Sequence, residues 1–306
     1  MPSGASGCGY SSVCCDERSA GARTGVVSML IADAQVHIWA ANTPERPWPA
    51  RAEPHRAPLG KDELLAEMDK AGVDRVILVP PSWEGDRNDL ALDAAVHHPD
   101  RFAVMGRFDP EAPGARGQVA GWKKQKGMLG MRFTFHTEIL RKPLLDGSFD
   151  WVWGEMEKAG IPAMVLFHHE YMHLADGIAE RYPGLRLVLD HLGLKSGKGV
   201  TEASNFATLD NVLALAKRPN VAAKVSALPC YADDKAYPFK SLHAHIERVL
   251  DAFGPKRTFW GTDWSRLPCN YRQGVTMFTE ELPWLKGHDL EWVVGRGICE
   301  WIGWRI

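Results

Sequence analysis

The 306-residue sequence has no C-x-x-C pair and no surplus of charge of one sign. It also lacks any run of the ~18 apolar residues that a membrane-crossing helix needs. Its 36 Lys+Arg against 38 Asp+Glu give a net charge of -2, which argues against nucleic acid and against a polybasic membrane anchor as partners. Cysteine is scarce: Cys8, Cys14 and Cys15 sit together near the start, and only Cys230, Cys269 and Cys299 follow. That is too few for a disulfide framework in so long a chain and shows no zinc-knuckle spacing, so a reducing cytoplasmic setting is expected. A Gly-rich phosphate turn after the first strand is also missing, which weighs against an open doubly wound sheet.

Residues 1–28 are rich in Gly, Ser and Ala and have no periodicity. Arg18 and Arg23 precede the apolar run 26–32, as in a signal peptide, but Asp16 and Glu17 interrupt the basic region. The run also leads straight into the first strand. These residues are therefore expected to be a disordered leader or an over-long gene model, with one domain over 29–306. From there, apolar segments at 29–37, 75–80, 102–108, 128–134, 162–168, 185–191, 220–226 and 257–263 alternate with amphipathic stretches. Continuous apolar runs suit parallel strands buried on both faces. Helical patterns lie between them, clearest at 61–72, 149–160 and 239–253. Eight strands with crossover helices predict an α/β fold, a single (β/α)8 TIM barrel.

In such a barrel, chemistry collects at the C-terminal ends of the strands. Those ends carry Asp33, Gln35 and His37 on the first strand, Arg132 on the fourth and His168 and His169 on the fifth. Asp190 and His191 end the sixth, Lys224 and Ser226 the seventh, and Asp263 the eighth. Strict alternation places Asp33, Gln35 and His37 together facing the barrel axis. Asp190 is expected to bond the backbone, with His191 on the opposite face. Arg132 and Lys224 either bind a substrate acid or bridge carboxylates within the barrel. Taken singly, each group has a structural explanation; so many titratable groups at one end of different strands point to a site.

These residues resemble a known family. The DAQVHIW opening, GMRF at strand 4, VLDHLG at strand 6 and FGPKRTFWGTDW at strand 8 are similar to the amidohydrolase superfamily. More narrowly, they resemble its amidohydrolase-2 branch, which contains pyrone-dicarboxylate hydrolase-like lactonases and aminocarboxymuconate-semialdehyde-type decarboxylases. The resemblance spans about residues 29–306. It implies a barrel whose strand-1 HxH, strand-5 His and strand-8 Asp hold a divalent metal, zinc or manganese. Carried over, the ligands are His37, His168 (or His169) and Asp263, with His191 as the strand-6 histidine that contacts reacting groups. Gln35 stands where the first histidine of HxH belongs, and an amide is a weaker ligand than imidazole.

The expected activity is hydrolysis of a lactone or related cyclic ester that carries a carboxylate. Asp263 would act as general base on water, with His37 and His191 stabilising the developing charge. Arg132, Lys224, Gln35, Trp39 and Tyr271 are the candidate substrate contacts, with Trp83 and Trp264 as further aromatic wall. A metal-dependent, non-oxidative decarboxylase of an aromatic or muconate-type acid is the second reading, and a non-catalytic ligand-binding barrel the third. The proline-rich segment 40–60 is expected to form a lid or wall over the site.

Overall fold

The computed structural model describes residues 29–48 and 57–306. The expected leader and the middle of the proline-rich segment lie outside the described residues. Eight parallel strands run in chain order around a nearly closed barrel: β1 (Ala32–Val36), β2 (Arg75–Leu78), β3 (Phe102–Gly106), β4 (Met128–Thr134), β5 (Ala163–Leu166), β6 (Leu187–Leu189), β7 (Val221–Ser226) and β8 (Thr258–Gly261). Each falls inside its expected segment. Except in β4 and β7, the C-terminal residues of those segments have left the ladder and form the loops that carry polar groups. The helical patterns also appear, at Lys61–Ala71, Asp150–Lys158 and His243–Phe253. The first ends where Gly72 takes the left-handed conformation (φ 76°), a stop that a side chain would strain.

Two apolar layers hold the barrel. Val76, Leu78, Val104, Phe133, Val165, Leu187, Leu189 and Val225 pack outward against the helices. Inside, Ala32, Ala34, Ile77, Val79, Met164, Val188, Ala222 and Phe259 form a second cluster. Ile298, Cys299 and Ile302 of the last helix, Gly297–Ile302, join that inner cluster, so the tail packs on the barrel. Its approach is close: a Cβ at Gly295 would sit 2.1 Å from the Leu30 carbonyl oxygen.

At the seam between β8 and β1 the two strands are not paired as a ladder. Backbone contact there includes Asp263 N–H to the Gln35 carbonyl at 2.9 Å. The Asp33 carboxylate completes the join. It accepts from Thr262 N–H (2.8 Å), from the Thr262 hydroxyl, from Tyr271 Oη (2.9 Å) and from Gln35 N–H (3.0 Å). Burial raises this carboxyl to about 6 even though those four donors favour its charged form.

Candidate active site

β1 does not present Asp33, Gln35 and His37 on one face. Its register against β2 shifts between Asp33 and Val36, and such an irregularity breaks the period-two alternation. Ala32 and Ala34 therefore pack inside, Asp33 reaches Thr262 and Tyr271 at the seam, and Gln35 turns to Lys224 and His191. Tyr271 is accordingly no substrate contact. Its hydroxyl serves Asp33 and its ring stacks on Trp264, with centroids 5.4 Å apart.

β6 holds a second correction. Asp190 does not bond the backbone; it is wholly buried between Lys224 Nζ (2.7 Å) and Arg132 Nε (3.0 Å). Burial alone would raise its carboxyl, but the two cations outweigh this and hold it at about 2. His191 does not take the opposite face. His191, Leu192 and Gly193 all adopt positive φ (51°, 52° and 67°), and this turn brings the imidazole back over the same end of the barrel. Left-handed backbone costs about 1–2 kcal/mol per non-glycine residue. Asp263 (φ 49°) and Ala227 (φ 57°) adopt it as well, so the strain gathers at the strand ends that carry the polar groups.

The result is a compact set. His37 Nδ1 faces the Val79 carbonyl, which only accepts, so this nitrogen carries the proton and Nε2 of the neutral ring is a lone pair. Nε2 stands 3.2 Å from Asp263 Oδ1, on which no hydrogen-bond donor is aligned. His191 Nε2 lies 3.8 Å from Asp263 Oδ2, the oxygen that Arg266 holds at 3.0 Å. Burial works to raise the Asp263 carboxyl, yet His37, His191 and Arg266 around it keep it at about 2. Both imidazoles are pushed down by burial against the pull of Asp263, His191 to about 3. Near neutrality the site is an ionised carboxylate facing two neutral rings.

The other expected residues are distributed around it. Lys224 is fully buried and bonded to Asp190 and Gln35, so its ammonium is not presented to a substrate. Arg132 engages Asp190 through Nε. Trp39 is buried, with its N–H on the Ala57 carbonyl, and packs edge-on against Trp83. Trp83 lies edge-on to His37 at 6.0 Å, and its buried indole N–H has no partner. His169 is tied to Thr208 Oγ1 and the Leu192 carbonyl, a structural role beneath the 191–193 turn. His168 stands half-buried beside His136, with Glu170 and Lys195 as its charged neighbours. Sequence reasoning missed Arg266; its place three residues after Asp263, on the same turn, was the available signal.

These donors do not fit the metal site implied above. His168 does not join His37 and Asp263, and among the described residues no group of three or more His, Cys, Asp or Glu side chains is placed to hold a metal ion. Gln35 turns its oxygen to Lys224 and therefore offers N–H, which repels a cation, in the remaining position.

Residues 32–282 match the family model described as amidohydrolase. The chain is similar to an L-fucono-1,5-lactonase of Burkholderia ambifaria, 27% identical over 256 residues, covering 78% of this chain and 82% of that one. It is also similar to a 4-sulfomuconolactone hydrolase of Rhizobium radiobacter, 25% identical over 212 residues, covering 66% and 65%. Among solved structures, an amidohydrolase from Burkholderia multivorans with bound zinc superposes with a TM-score of 0.74 at 23% identity, covering 90% of this chain and 99% of that one.

Proposed function

Because the chain belongs to the amidohydrolase family, we propose that it hydrolyses a lactone, most readily one that carries a carboxylate, with Asp263 as the general base. The observation that carries this reading is the pair Asp263 Oδ1 and His37 Nε2, two acceptor atoms 3.2 Å apart at the mouth of a barrel. A water molecule, with two O–H donors, satisfies both at once and is thereby oriented. Asp263 takes one proton as the water oxygen bonds to the carbonyl carbon. The ring C–O bond then breaks, and Asp263 returns the proton to the leaving oxygen. The two similar hydrolases are named for lactones, which supports the substrate class.

The histidines take a different part from the one expected. The neutral His37 ring has a free Nε2 lone pair, so it accepts a hydrogen bond and orients water rather than donating to a carbonyl oxygen, whereas the His191 Nε2 lone pair is taken by the Gln35 amide. Positive charge for the developing oxyanion, and for a substrate carboxylate, comes from Arg266 and Arg132, whose planar forks suit both. The unpartnered Trp83 N–H is a further donor beside His37.

The test is turnover of a panel holding a sugar-acid 1,5-lactone and a muconolactone, followed by acid release and by carbon dioxide release. Acid release without carbon dioxide supports the hydrolase. Carbon dioxide from an aromatic or muconate-type acid, with no lactone opened, replaces it with the decarboxylase.

A further inference from the structure

We propose that Gln35 is a positioning residue: held by Lys224, it locks His191 in the tautomer that carries its proton on Nδ1 and turns a bare Nε2 toward Asp263. The inference rests on Asp263 being the base. Ammonium can only donate, so the Gln35 atom 2.6 Å from Lys224 Nζ is the amide oxygen, and the orientation of the amide is chemically fixed. Its NH2 group then lies 3.0 Å from His191 Nε2. That group can only donate as well, so Nε2 is the acceptor.

The far side of the ring accommodates the same answer. His191 Nδ1 stands 2.8 Å from Ser226 Oγ and 3.4 Å from the Ser226 carbonyl, which accepts only. Lys224 cannot turn away, because it is fully buried and paired with Asp190 at 2.7 Å. A continuous chain Asp190–Lys224–Gln35–His191–Ser226 therefore joins β1, β6 and β7. Networks of this kind hold one proton arrangement cooperatively.

Nε2 is 3.8 Å from Asp263 Oδ2. The other tautomer would aim an N–H at this carboxylate and weaken it as a base. The lock prevents that, and it explains why an amide occupies position 35: it accepts from a cation on one side and donates to an imidazole on the other.

The experiment uses 15N-histidine-labelled protein without substrate, with the His191 signals assigned by their loss in His191→Gln. In the parent protein Nδ1 is expected to be protonated and Nε2 bare. Gln35→Glu keeps the shape and the Lys224 contact but offers His191 only acceptor oxygens, so the proton is expected to move onto Nε2. kcat should fall about tenfold or more, while KM stays within about twofold. A parent protein with its His191 proton on Nε2 overturns the proposal, and this measurement stands even if the variant does not fold. An unchanged tautomer in Gln35→Glu, or an inverted one with unchanged kcat, overturns it too. Loss of the base assignment would appear separately, as an active Asp263→Asn enzyme.

Discussion

Asp263 Oδ1 and His37 Nε2 stand 3.2 Å apart, and with the His37 proton held on Nδ1 by Val79, neither atom offers the other a hydrogen. Two buried acceptors in contact are unfavourable unless a donor comes between them. This relationship sets the expectations for mutation and for metal removal.

Asp263→Asn replaces the base by an amide that cannot take a proton. Turnover of a lactone should fall by about 10²–10⁴, with the circular dichroism spectrum and substrate binding retained. Steady-state kinetics beside a binding titration check this; an unchanged kcat removes Asp263 from the role.

Chelation should leave activity intact. The donors around Asp263 do not form a three-ligand set, since Gln35 turns N–H groups inward. Elemental analysis of protein prepared without added metal, with lactone turnover measured in chelator, decides the point. One equivalent of zinc that leaves together with activity would contradict it.

Asp33 predicts a pH dependence of stability. Its carboxyl sits at about 6 in the fold against 3.8 when unperturbed, so the folded state binds this proton more tightly than the unfolded one. Its contribution is present below about 3.8 and is lost as pH rises through about 6. Urea midpoints across that window, compared with those of Asp33→Asn, should show the difference narrowing or reversing with pH; parallel curves would refute the assignment.

Gly193→Ala tests the turn that carries His191. A Cβ there would approach the Phe167 carbonyl oxygen to 2.3 Å, at φ 67°. Destabilisation of about 1–3 kcal/mol from overpacking, with added backbone strain, is expected, together with loss of turnover, since His191 would be displaced. A thermal melt and an activity assay suffice; a variant as stable and active as the parent would show that the turn tolerates a side chain.

Much of the fold was legible in the sequence because its signals are local. The eight apolar runs announce buried parallel strands whatever surrounds them, and the helical stretches stop at glycines such as Gly72. His37, His191 and Asp263 were legible as a group because strand ends in a barrel share one mouth. Their partners were not. Strict alternation put Asp33 beside Gln35, but the irregularity in β1 separates them. The alternation also sent His191 away from Asp190, but three successive left-handed residues return it. His168 reads as the better match on the fifth strand and His169 as the alternative, yet neither reaches Asp263.

The sequence by itself determined the order of the strands, the single barrel and the polar residue types at its mouth, since hydrophobic periodicity and residue chemistry act within a few positions. Only the tertiary structure decided which groups meet: Lys224 with Asp190 and Gln35, Gln35 with His191, and His37 with Asp263. Those pairings join strands distant in the chain and depend on the phase of a bulge and the sign of φ. One residue of slip or one left-handed turn reverses where a side chain points, and the residue types do not record it.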